Sequence, residues 1–585
     1  MIKRVMPMYY IYLFETKSIQ NYLGRTGQLK DLIAISDQLD HLIDEGESDL
    51  YEVLEQLNIS HNINDVKKDN NSSSCINFFR CKGGAFGCYS TDESDQNGEN
   101  IKAFARLWIL FFQNKFPYMN FASAIKTGID FHKTLTACYE ALGEDFNTPK
   151  VFFPIATSIV QSSSRTGCAA IYNSRTENKK LGFDTDEWRD YDIATLVNRS
   201  PKQNLQLFKK FLGKSDESVA TEYLNAFKKF QDKANDENRD FAIIHLDGNG
   251  IGQTLMKLKE GFSKLSAGEY TYKWRLISKA IASATSESVQ QTINELIELK
   301  NKDSNGESKL IFRPLVLGGD DVTLLIEPKY AALFCLKFCQ YFKQLSKEKL
   351  SKTEINQILK VNDNDLFLSA SGGLLFNKIN HPYNNSLRLV EGLAEQAKKL
   401  TKSNKKDNQL AGPAAISIFR ISSTSCESIN EIIRRFRTFS YRTKGDKEHQ
   451  FLTGLTTYLV DDQNTINTTS KDNNSTTVVT DLNSLNSLLS YVQNDMSRNI
   501  NAKYRKILGE LAKGNRTEAE NIFDRYAKIQ NKKSEKWYIT PDQLSGAYSG
   551  FFDLKYKNKE IKYITSLDDI LVLYHYMKES DECNN

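Results

Sequence analysis

The sequence lacks any uninterrupted apolar stretch of the roughly 20 residues that a membrane-spanning helix needs. Its residues are 40% hydrophobic and 26% charged, which is typical of soluble globular proteins. The length of 585 residues suggests about three or four domains. The N-terminal stretch MIKRVMPMYYIYLFETKS has a short apolar part and no small-residue cleavage site, which indicates a first strand rather than a signal peptide. We therefore expect a cytoplasmic protein without a membrane partner.

Cysteine occurs in no pattern that indicates a metal site or a disulfide framework. The nine cysteines are an odd number, and no two of them form a CxxC pair. Cys335 and Cys339 are one helical turn apart in an apolar segment, which is typical of core positions. Cys75, Cys81 and Cys88 are too loosely spaced for a zinc signature. Reduced cytosolic thiols are the favoured interpretation, and we expect no zinc.

An excess of one charge sign is also nearly absent. The formal net charge is +4, which does not by itself indicate a nucleic-acid partner. The basic residues of the stretch 434–447 are nevertheless clustered: Arg434, Arg435, Arg437, Arg442, Lys444 and Lys447. Two interpretations stay open, namely a solvated face or a surface that contacts RNA backbone or other subunits.

From residue 238 onward, short strand-like runs alternate with longer helix-like segments. The predicted order is β-α-β-β-α-β-α-β, with strands at DFAIIHLD, KLIFRPLVL, VTLLIEP, DLFLSASGGLLF and PAAISIFRI. This order matches the split βαβ plan of a helix-backed antiparallel sheet. The N-terminal part shows a weaker version of the same order, with the acid-free turn GGAF (83–86). We predict an α+β fold divided at 1–145, 146–237, 238–460 and 461–585, the last segment being mostly helical.

Two adjacent aspartates occupy the tip of a predicted hairpin in PLVLGGDDVTLLI (314–326). Like charges repel in a packed turn, but they become favourable when a divalent cation lies between them and other acids. The first predicted strand ends at Asp247, beside the hairpin in this topology. Asp247, Asp320 and Asp321 are therefore predicted to hold Mg²⁺ or Mn²⁺. Two such ions about 4 Å apart serve in-line nucleotidyl transfer.

The residues around these acids suit a bound triphosphate. Gly318 and Gly319 permit a tight turn and let phosphates approach without a Cβ in the way. The turn of Gly248, Asn249 and Gly250 leads into a helix start, where backbone N–H groups can bind phosphate oxygens. Two further basic residues are candidates for this region. Lys398 is either a phosphate contact or a solvated helix end. His245 shares the strand face of Asp247 and is predicted to be packed or to support a ligand rather than to bind metal itself.

Several stretches together resemble the large subunit of type III CRISPR RNA-guided effector complexes. FRPLVLGGDDVTLLI (312–326) resembles the palm hairpin of that family, including the Arg-Pro before the strand. FAIIHLDGNGIG (241–252) resembles its first palm strand. LSASGGLLFNKINHPYNNSLRLVEGLAEQAKK (368–399) resembles the following strand and helix. SIQNYLGRTGQLKDLIAISDQLDHL resembles the family's degenerate first palm.

The resemblance implies two ferredoxin-like palm (cyclase) domains, a small inter-palm domain and a C-terminal helical domain. It also implies that ATP is the substrate and is joined into cyclic oligoadenylates when the complex binds target RNA. The implied partners are guide RNA, target RNA and other subunits of the complex. The residues that match the family's site are Asp247, Asp320 and Asp321 for metal, with Gly248 beside them, and Gly248, Asn249, Gly250, Gly318, Gly319, Ser369, Ser371, Gly372 and Lys398 for nucleotide.

The sequence departs from the family pattern in three places. It contains no adjacent His-Asp pair, so we expect a variant without the HD nuclease domain. The inter-palm region keeps only Cys168, which argues against a four-cysteine zinc site there. Asn249 stands where some relatives have Asp, so Asp247 and Asp320 are expected to dominate metal binding, with Asp321 in support.

Three alternatives stay open at the level of sequence. The same palm could join ATP to another adenosine-containing acceptor. The chain could be an architectural RNA-binding subunit with a vestigial palm, although its intact acids argue against this. A free-standing diguanylate-type cyclase is disfavoured because the Glu-Phe at the fourth and fifth positions of that family's hairpin motif is missing.

Overall fold

A computed structural model provides the structure of the chain. It describes residues 7–27, 29–43, 48–63, 74–82, 84–148, 159–163, 166–172, 191–198, 205–214, 216–237, 239–306, 308–363, 365–379, 381–407, 409–421, 428–442, 448–460, 484–529, 538, 548 and 561–579. Within these residues, no helix combines the length and the apolarity that crossing a bilayer requires.

The N-terminal unit is an antiparallel sheet with helices packed against it. Its strands are β1 (Tyr9–Lys17), β2 (Asn77–Lys82), β3 (Ala85–Thr91) and β4 (Asn120–Gly128). Its helices are α1 (Ile19–Leu23), α2 (Leu29–Leu42), α3 (Asp49–Gln56), α4 (Glu99–Lys115) and α5 (Phe131–Asn147). The strand order is β2-β3-β1-β4. The central strand β1 has an aromatic, β-branched sequence that is buried along most of its length, as a strand covered on both faces requires.

The second unit repeats this plan on a larger scale. Its strands are β7 (Asp240–Gly248), β8 (Phe312–Gly318), β9 (Asp321–Ile326), β10 (Ala370–Lys378), β11 (Ala415–Arg420) and β14 (Thr457–Leu459), in the order β14-β11-β10-β7-β9-β8. The β10-β7-β9-β8 part has the same order as the N-terminal sheet. The prediction of two ferredoxin-like units in an α+β fold is therefore confirmed.

The helices of the second unit cover its sheet and connect it to the first unit. They are α9 (Ile251–Gly261), α10 (Ala267–Asp303), α11 (Pro328–Ser351), α12 (Ile355–Leu359) and α13 (Tyr383–Ser403). The long helix α10 begins at a capping box, in which Ser266 and Glu269 each bind the other's backbone N–H. Its Tyr270 packs edge-to-face on Phe79 of β2, with ring centroids 5.6 Å apart. The helix therefore contributes to the cores of both units.

Five described elements lie between the two units along the chain. They are β5 (Ala170–Tyr172), β6 (Tyr191–Asp192), α6 (Ile193–Asn198), α7 (Gln206–Leu212) and α8 (Glu217–Glu237). Cys335 and Cys339 are buried in α11, in agreement with their interpretation as core positions, and Cys75, Cys81 and Cys88 are buried as well.

The C-terminal elements pack onto the second unit. They are α14 (Ile429–Arg437), β12 (Thr438–Arg442), β13 (Glu448–Leu452), α15 (Leu485–Asn494), α16 (Arg498–Ala512), α17 (Arg516–Ile529), β15 (Ile561–Ile564) and α18 (Leu567–Tyr574). The predominance of helix after residue 461 is confirmed for the described residues. The sequence pattern missed β15, which pairs in parallel with β13.

Candidate active site

The register of the second sheet brings the predicted acids together. In the antiparallel pair β7–β9, Leu246 lies opposite Val322 and His245 opposite Thr323. The next position outward on each strand is Asp247 on β7 and Asp321 on β9. The β8–β9 hairpin pairs Gly318 with Asp321 and leaves Gly319 and Asp320 at its tip. Sequence residues more than 70 positions apart thus meet at one end of the sheet, as the topology predicted.

The three carboxylates repel one another strongly. Burial, the charge of Asp247 and a hydrogen bond between the two carboxyls raise the pKa of Asp320 to about 7. Burial and then the charges of Asp247 and Asp320 raise the pKa of Asp321 well above its ordinary value. Lys398 on α13 forms an ion pair with Asp247 Oδ2 and offsets part of this charge. One lysine against three acids leaves a surplus of negative charge that fits a divalent cation.

His245 is closer to the acids than the sequence indicated. One ring nitrogen of His245 and one carboxylate oxygen each of Asp247 and Asp321 lie within 4.8 Å of one another. Its Nδ1 lies 2.9 Å from Thr323 Oγ1 on the neighbouring strand. Burial lowers the pKa of His245, which favours the neutral ring, although Asp247 acts in the opposite direction. Asp320 is not a member of this group and contacts Asp247 from the hairpin tip.

The glycines of the site have separable roles. Gly319 has a φ of +62°, the left-handed region that favours glycine, and both Gly318 and Gly319 face open space. Gly248 lets the hairpin approach, since a Cβ there would lie 2.8 Å from Asp320 Oδ2. Gly250 has a φ of +73°, and a Cβ there would lie 2.7 Å from the carbonyl oxygen of Leu410. The turn after β7 is therefore determined by backbone packing.

Ser369, Ser371 and Asn249 form a buried network rather than an open pocket wall. Asn249 Nδ2 donates to Ser369 Oγ at 2.8 Å, and Ser371 Oγ donates to Asn249 Oδ1 at 2.7 Å. Ser369 in turn donates to the carbonyl oxygen of Gly412, and Ser371 also meets Thr401 Oγ1. The expectation that these serine side chains line the nucleotide pocket is corrected by this arrangement. Their hydrogen bonds hold the turn that follows Asp247.

Gly372 is also a packing residue. A Cβ there would lie 2.5 Å from the carbonyl oxygen of His245 and 2.3 Å from Leu246 Cδ2. It permits β10 to lie close against β7, and so supports the strand that carries His245 and Asp247.

A cavity of about 610 Å³ lies next to the hairpin and between the two units. Gly318, Gly319 and Asp321 form part of its wall on the side of the second unit. The N-terminal unit contributes Gly84 and a set of polar residues: Glu15, Thr16, Ser18, Gln20, Asn21, Ser36 and Asp40. A space of this size suits a nucleotide-sized ligand.

Four charged cavity residues could not be predicted from the sequence because no motif marks them: Glu15, Asp40, Lys210 and Glu391. Glu391 of α13 lines the cavity, and burial, with the charge of Glu395, raises its pKa. Asp40 of α2 and Lys210 of α7 also line it, and Lys210 Nζ lies 2.9 Å from both carboxylate oxygens of Asp40. Only the assembled fold brings these helices to the hairpin.

The register also corrects the comparison between the two hairpin turns. In the first sheet Glu15 lies opposite Ala85, and Lys82 pairs with Ala85 across the turn. By register, Ala85 therefore corresponds to Asp321, and Gly84 to Asp320. Glu15 corresponds to Asp247, so the first unit keeps an acid at its strand end. That acid faces Arg80 at 3.9 Å.

The basic stretch divides into exposed and buried residues. Arg434 and Arg435 are exposed on α14, which suits a contact surface. Arg437 is buried, with Nη2 3.1 Å from Asp569 Oδ1, so its predicted contact with RNA or another subunit is wrong. The Arg442 side chain, Lys444 and Lys447 lie outside the described residues.

The fold and the acid hairpin define a palm-type domain, and the family comparison agrees with that class. Residues 240–410 match the family model of the Cas10/Cmr2 second palm domain. This match confirms, for that segment, the resemblance seen in the motifs. A search of curated proteins found no match.

Solved structures give further similarities. The chain is similar to Csm1 in T.onnurineus at 13% identity and a TM-score of 0.43, covering 97% of this chain and 69% of that one. It is similar to a Csm1–Csm4 cassette in complex with cA4 at 10% identity and a TM-score of 0.42, covering 97% and 70%. It is similar to a Csm1–Csm4 cassette in complex with pppApA at 11% identity and a TM-score of 0.34, covering 67% of this chain and 52% of that one. The chain thus spans about half the length of that last protein.

Proposed function

We propose that the chain is the nucleotidyltransferase subunit of a type III CRISPR effector complex. It converts ATP into a cyclic oligoadenylate when the complex binds target RNA. The observation that carries this proposal is the meeting of Asp247, Asp320 and Asp321 at the edge of a cavity between two palm-type sheets. The family match over residues 240–410, which contain all three acids, supports the same assignment.

The three aspartates would hold divalent Mg²⁺ or Mn²⁺, because their oxygens are the ligands such ions prefer. Bound there, the ions would supply activation of the attacking hydroxyl and neutralisation of charge on the leaving pyrophosphate. Burial and the charge of Asp247 raise the pKa values of Asp320 and Asp321, and this unfavourable clustering of carboxyls is the feature of this chain that fits such ions.

The chain's own residues would orient the nucleotide. Gly318 and Gly319 present backbone without side chains to the cavity, so phosphates can approach the hairpin closely. Lys398, which pairs with Asp247, carries a mobile positive charge that can move to a phosphate when cations take its place beside the acids. The buried Asn249 network keeps the turn after β7 from shifting under this change in charge.

The N-terminal unit would hold the second nucleotide. Its residues form the opposite wall of the cavity, and Thr16 Oγ1 donates to the carbonyl oxygen of Gly84 at 3.0 Å, which fixes the acid-free turn. Since Gly84 and Ala85 stand where the second hairpin has Asp320 and Asp321, we assign one catalytic centre to the pair of units. A ribose hydroxyl of the second nucleotide would attack the α-phosphate of the first and release pyrophosphate.

Guide RNA, target RNA and other subunits are the proposed partners. The exposed Arg434 and Arg435 offer positive charge to an RNA backbone or to an acidic subunit surface.

Product analysis tests this function. The complex, purified with its partner subunits and guide RNA, is incubated with ATP and Mn²⁺ or Mg²⁺, with or without target RNA. Mass spectrometry should find cyclic oligoadenylates and pyrophosphate only when target RNA is present. A product that contains one adenylate joined to another adenosine-bearing molecule would replace the cyclic assignment by the conjugate alternative. No nucleotide product under any of these conditions would overturn the proposal.

A further inference from the structure

We propose that His245 is a direct ligand of a divalent cation shared with Asp247 and Asp321, through Nε2. We further propose that this nitrogen gives the site a preference for Mn²⁺ over Mg²⁺. The proposal rests on the metal dependence in the proposed function, and it revises the sequence-based expectation that His245 only supports a ligand.

The placement of the three groups suits one shared ion. Residues two apart on a strand point to the same face, so His245 and Asp247 project together from β7. Asp321 lies at the matching end of β9, and one ring nitrogen of His245 and one carboxylate oxygen each of Asp247 and Asp321 are within 4.8 Å of one another. Ligands about 2.1 Å from one ion can be at most about 4.2 Å apart, so only a small side-chain adjustment is needed.

Thr323 orients the ring for this role. Thr323 Oγ1 is buried opposite His245 and lies 2.9 Å from Nδ1. In the proposed state Nδ1–H donates to this oxygen, which leaves the lone pair of Nε2 for the ion. Metal-binding histidines usually donate their other N–H to such a partner, because the hydrogen bond determines both the tautomer and the ring orientation.

The first unit provides an internal comparison. By register, Glu15 takes the place of Asp247, Ala85 that of Asp321, Leu13 that of His245 and Gly87 that of Thr323. The imidazole and its threonine partner are thus absent from the unit whose hairpin lacks the acids. The histidine therefore occurs in the unit that carries the acid cluster, as a metal ligand would.

The identity of the ligand predicts the metal preference. Mg²⁺ takes oxygen ligands in near-ideal octahedral geometry and keeps several waters. Nitrogen ligands favour transition metals over Mg²⁺. A mixed set of one imidazole and two carboxylates therefore selects Mn²⁺ when both ions are present.

Electron spin-echo spectroscopy of bound Mn²⁺ tests the proposal on the full chain. Mn²⁺ alone is added to metal-free protein, and the echo should show ¹⁴N modulation from a coordinated imidazole. Labelling histidine with ¹⁵N should change the modulation frequencies in the unsubstituted protein, so the test does not depend on a variant that folds. His245→Gln should abolish the modulation and lower the preference for Mn²⁺ over Mg²⁺ by about tenfold or more.

Two variants complete the test. Thr323→Val should keep the nitrogen modulation but weaken Mn²⁺ binding by about tenfold, because Nδ1 loses its partner. His381→Gln alters a buried histidine that binds Ser386 elsewhere, and should leave Mn²⁺ binding unchanged. Bound Mn²⁺ without nitrogen modulation would overturn the role of His245 and leave the carboxylate site of the proposed function intact. Absence of Mn²⁺ binding would overturn both.

Discussion

At the scale of single residues, the acid pair of the second hairpin is costly without a cation. Asp320 and Asp321 stand beside Asp247, and burial together with the charge of Asp247 raises the pKa values of Asp320 and Asp321. The N-terminal hairpin shows that the turn itself needs neither acid, because Gly84 and Ala85 occupy the same register positions. The turn therefore does not require the acids, which is why we propose that they serve as ligands.

Asp320 makes the unfolding free energy of the metal-free chain depend on pH. Its pKa of about 7 exceeds the ordinary value of 3.8, so the folded state binds more protons than the unfolded state between these values. The resulting stability is fully present below pH ~4 and is lost as the pH rises through about 7, at up to about 1.4 kcal/mol per pH unit. Denaturant unfolding in EDTA should show lower stability near pH 7.5 than near pH 5.5.

The matched control for this prediction is Asp320→Asn, whose amide does not titrate and should reduce the pH dependence to the part that Asp321 contributes. Asp363→Asn, at an exposed position, should leave it unchanged. If the Asp320→Asn variant kept the full pH dependence of the unsubstituted protein, Asp320 would not be the group that binds the extra proton in the folded state.

At the scale of elements, the strand ends and the hairpin were the readily predictable part. Alternating apolar runs located β7, β8, β9 and β10, and the split βαβ order placed Asp247 beside the hairpin. Periodicity could not reveal that Ser369 and Ser371 point into a buried network. In a strand covered on both faces, a serine in an apolar run does not show which partner it meets.

Contacts between residues far apart in the sequence also limited what could be predicted from the sequence. The burial of Arg437 depends on Asp569, 132 positions away, which no local pattern reports. The one-residue offset between the two hairpin turns likewise became visible only in the register of the sheets, since GGAF and GGDD align naturally by their glycines.

The backbone packing of the turn after β7 can be tested by two glycine substitutions. Gly250→Ala should destabilise the chain by about 1–3 kcal/mol, because it combines a left-handed φ with a Cβ 2.7 Å from the carbonyl oxygen of Leu410. Gly252→Ala, two residues later in α9, meets nothing within 4 Å and should be neutral or stabilising by up to about 1 kcal/mol. Thermal unfolding of the two variants provides the comparison. Equal destabilisation would contradict the account of this turn.

At the scale of the whole molecule, the C-terminal elements are joined to the second sheet through buried charge. Asp569 at the start of α18 is fully buried and accepts hydrogen bonds from the Thr456 N–H at 3.0 Å and from the Tyr458 hydroxyl at 2.6 Å. Arg437 supplies the matching positive charge from the end of α14. This contact connects α14, the edge strand β14 and α18.

Removing the arginine should therefore loosen this junction. Arg437→Met should lower the unfolding free energy by about 3–5 kcal/mol, because it leaves the Asp569 carboxylate buried without its cation. Arg434→Met on the exposed face of the same helix should change it by less than about 0.5 kcal/mol. Equilibrium denaturation measures both, and a neutral Arg437→Met would show that the ion pair does not hold the junction.

We propose that the acid hairpin performs nucleotidyl transfer. The turnover rate of a double variant tests this most directly. Asp320→Asn with Asp321→Asn keeps the shape of the turn and removes its charge. In the assembled complex with target RNA, ATP and Mn²⁺, it should form nucleotide product at least about 100-fold more slowly, since several kcal/mol of charge stabilisation are lost. Target RNA binding should be unchanged. A variant complex that makes the same product at the unsubstituted rate would contradict the account.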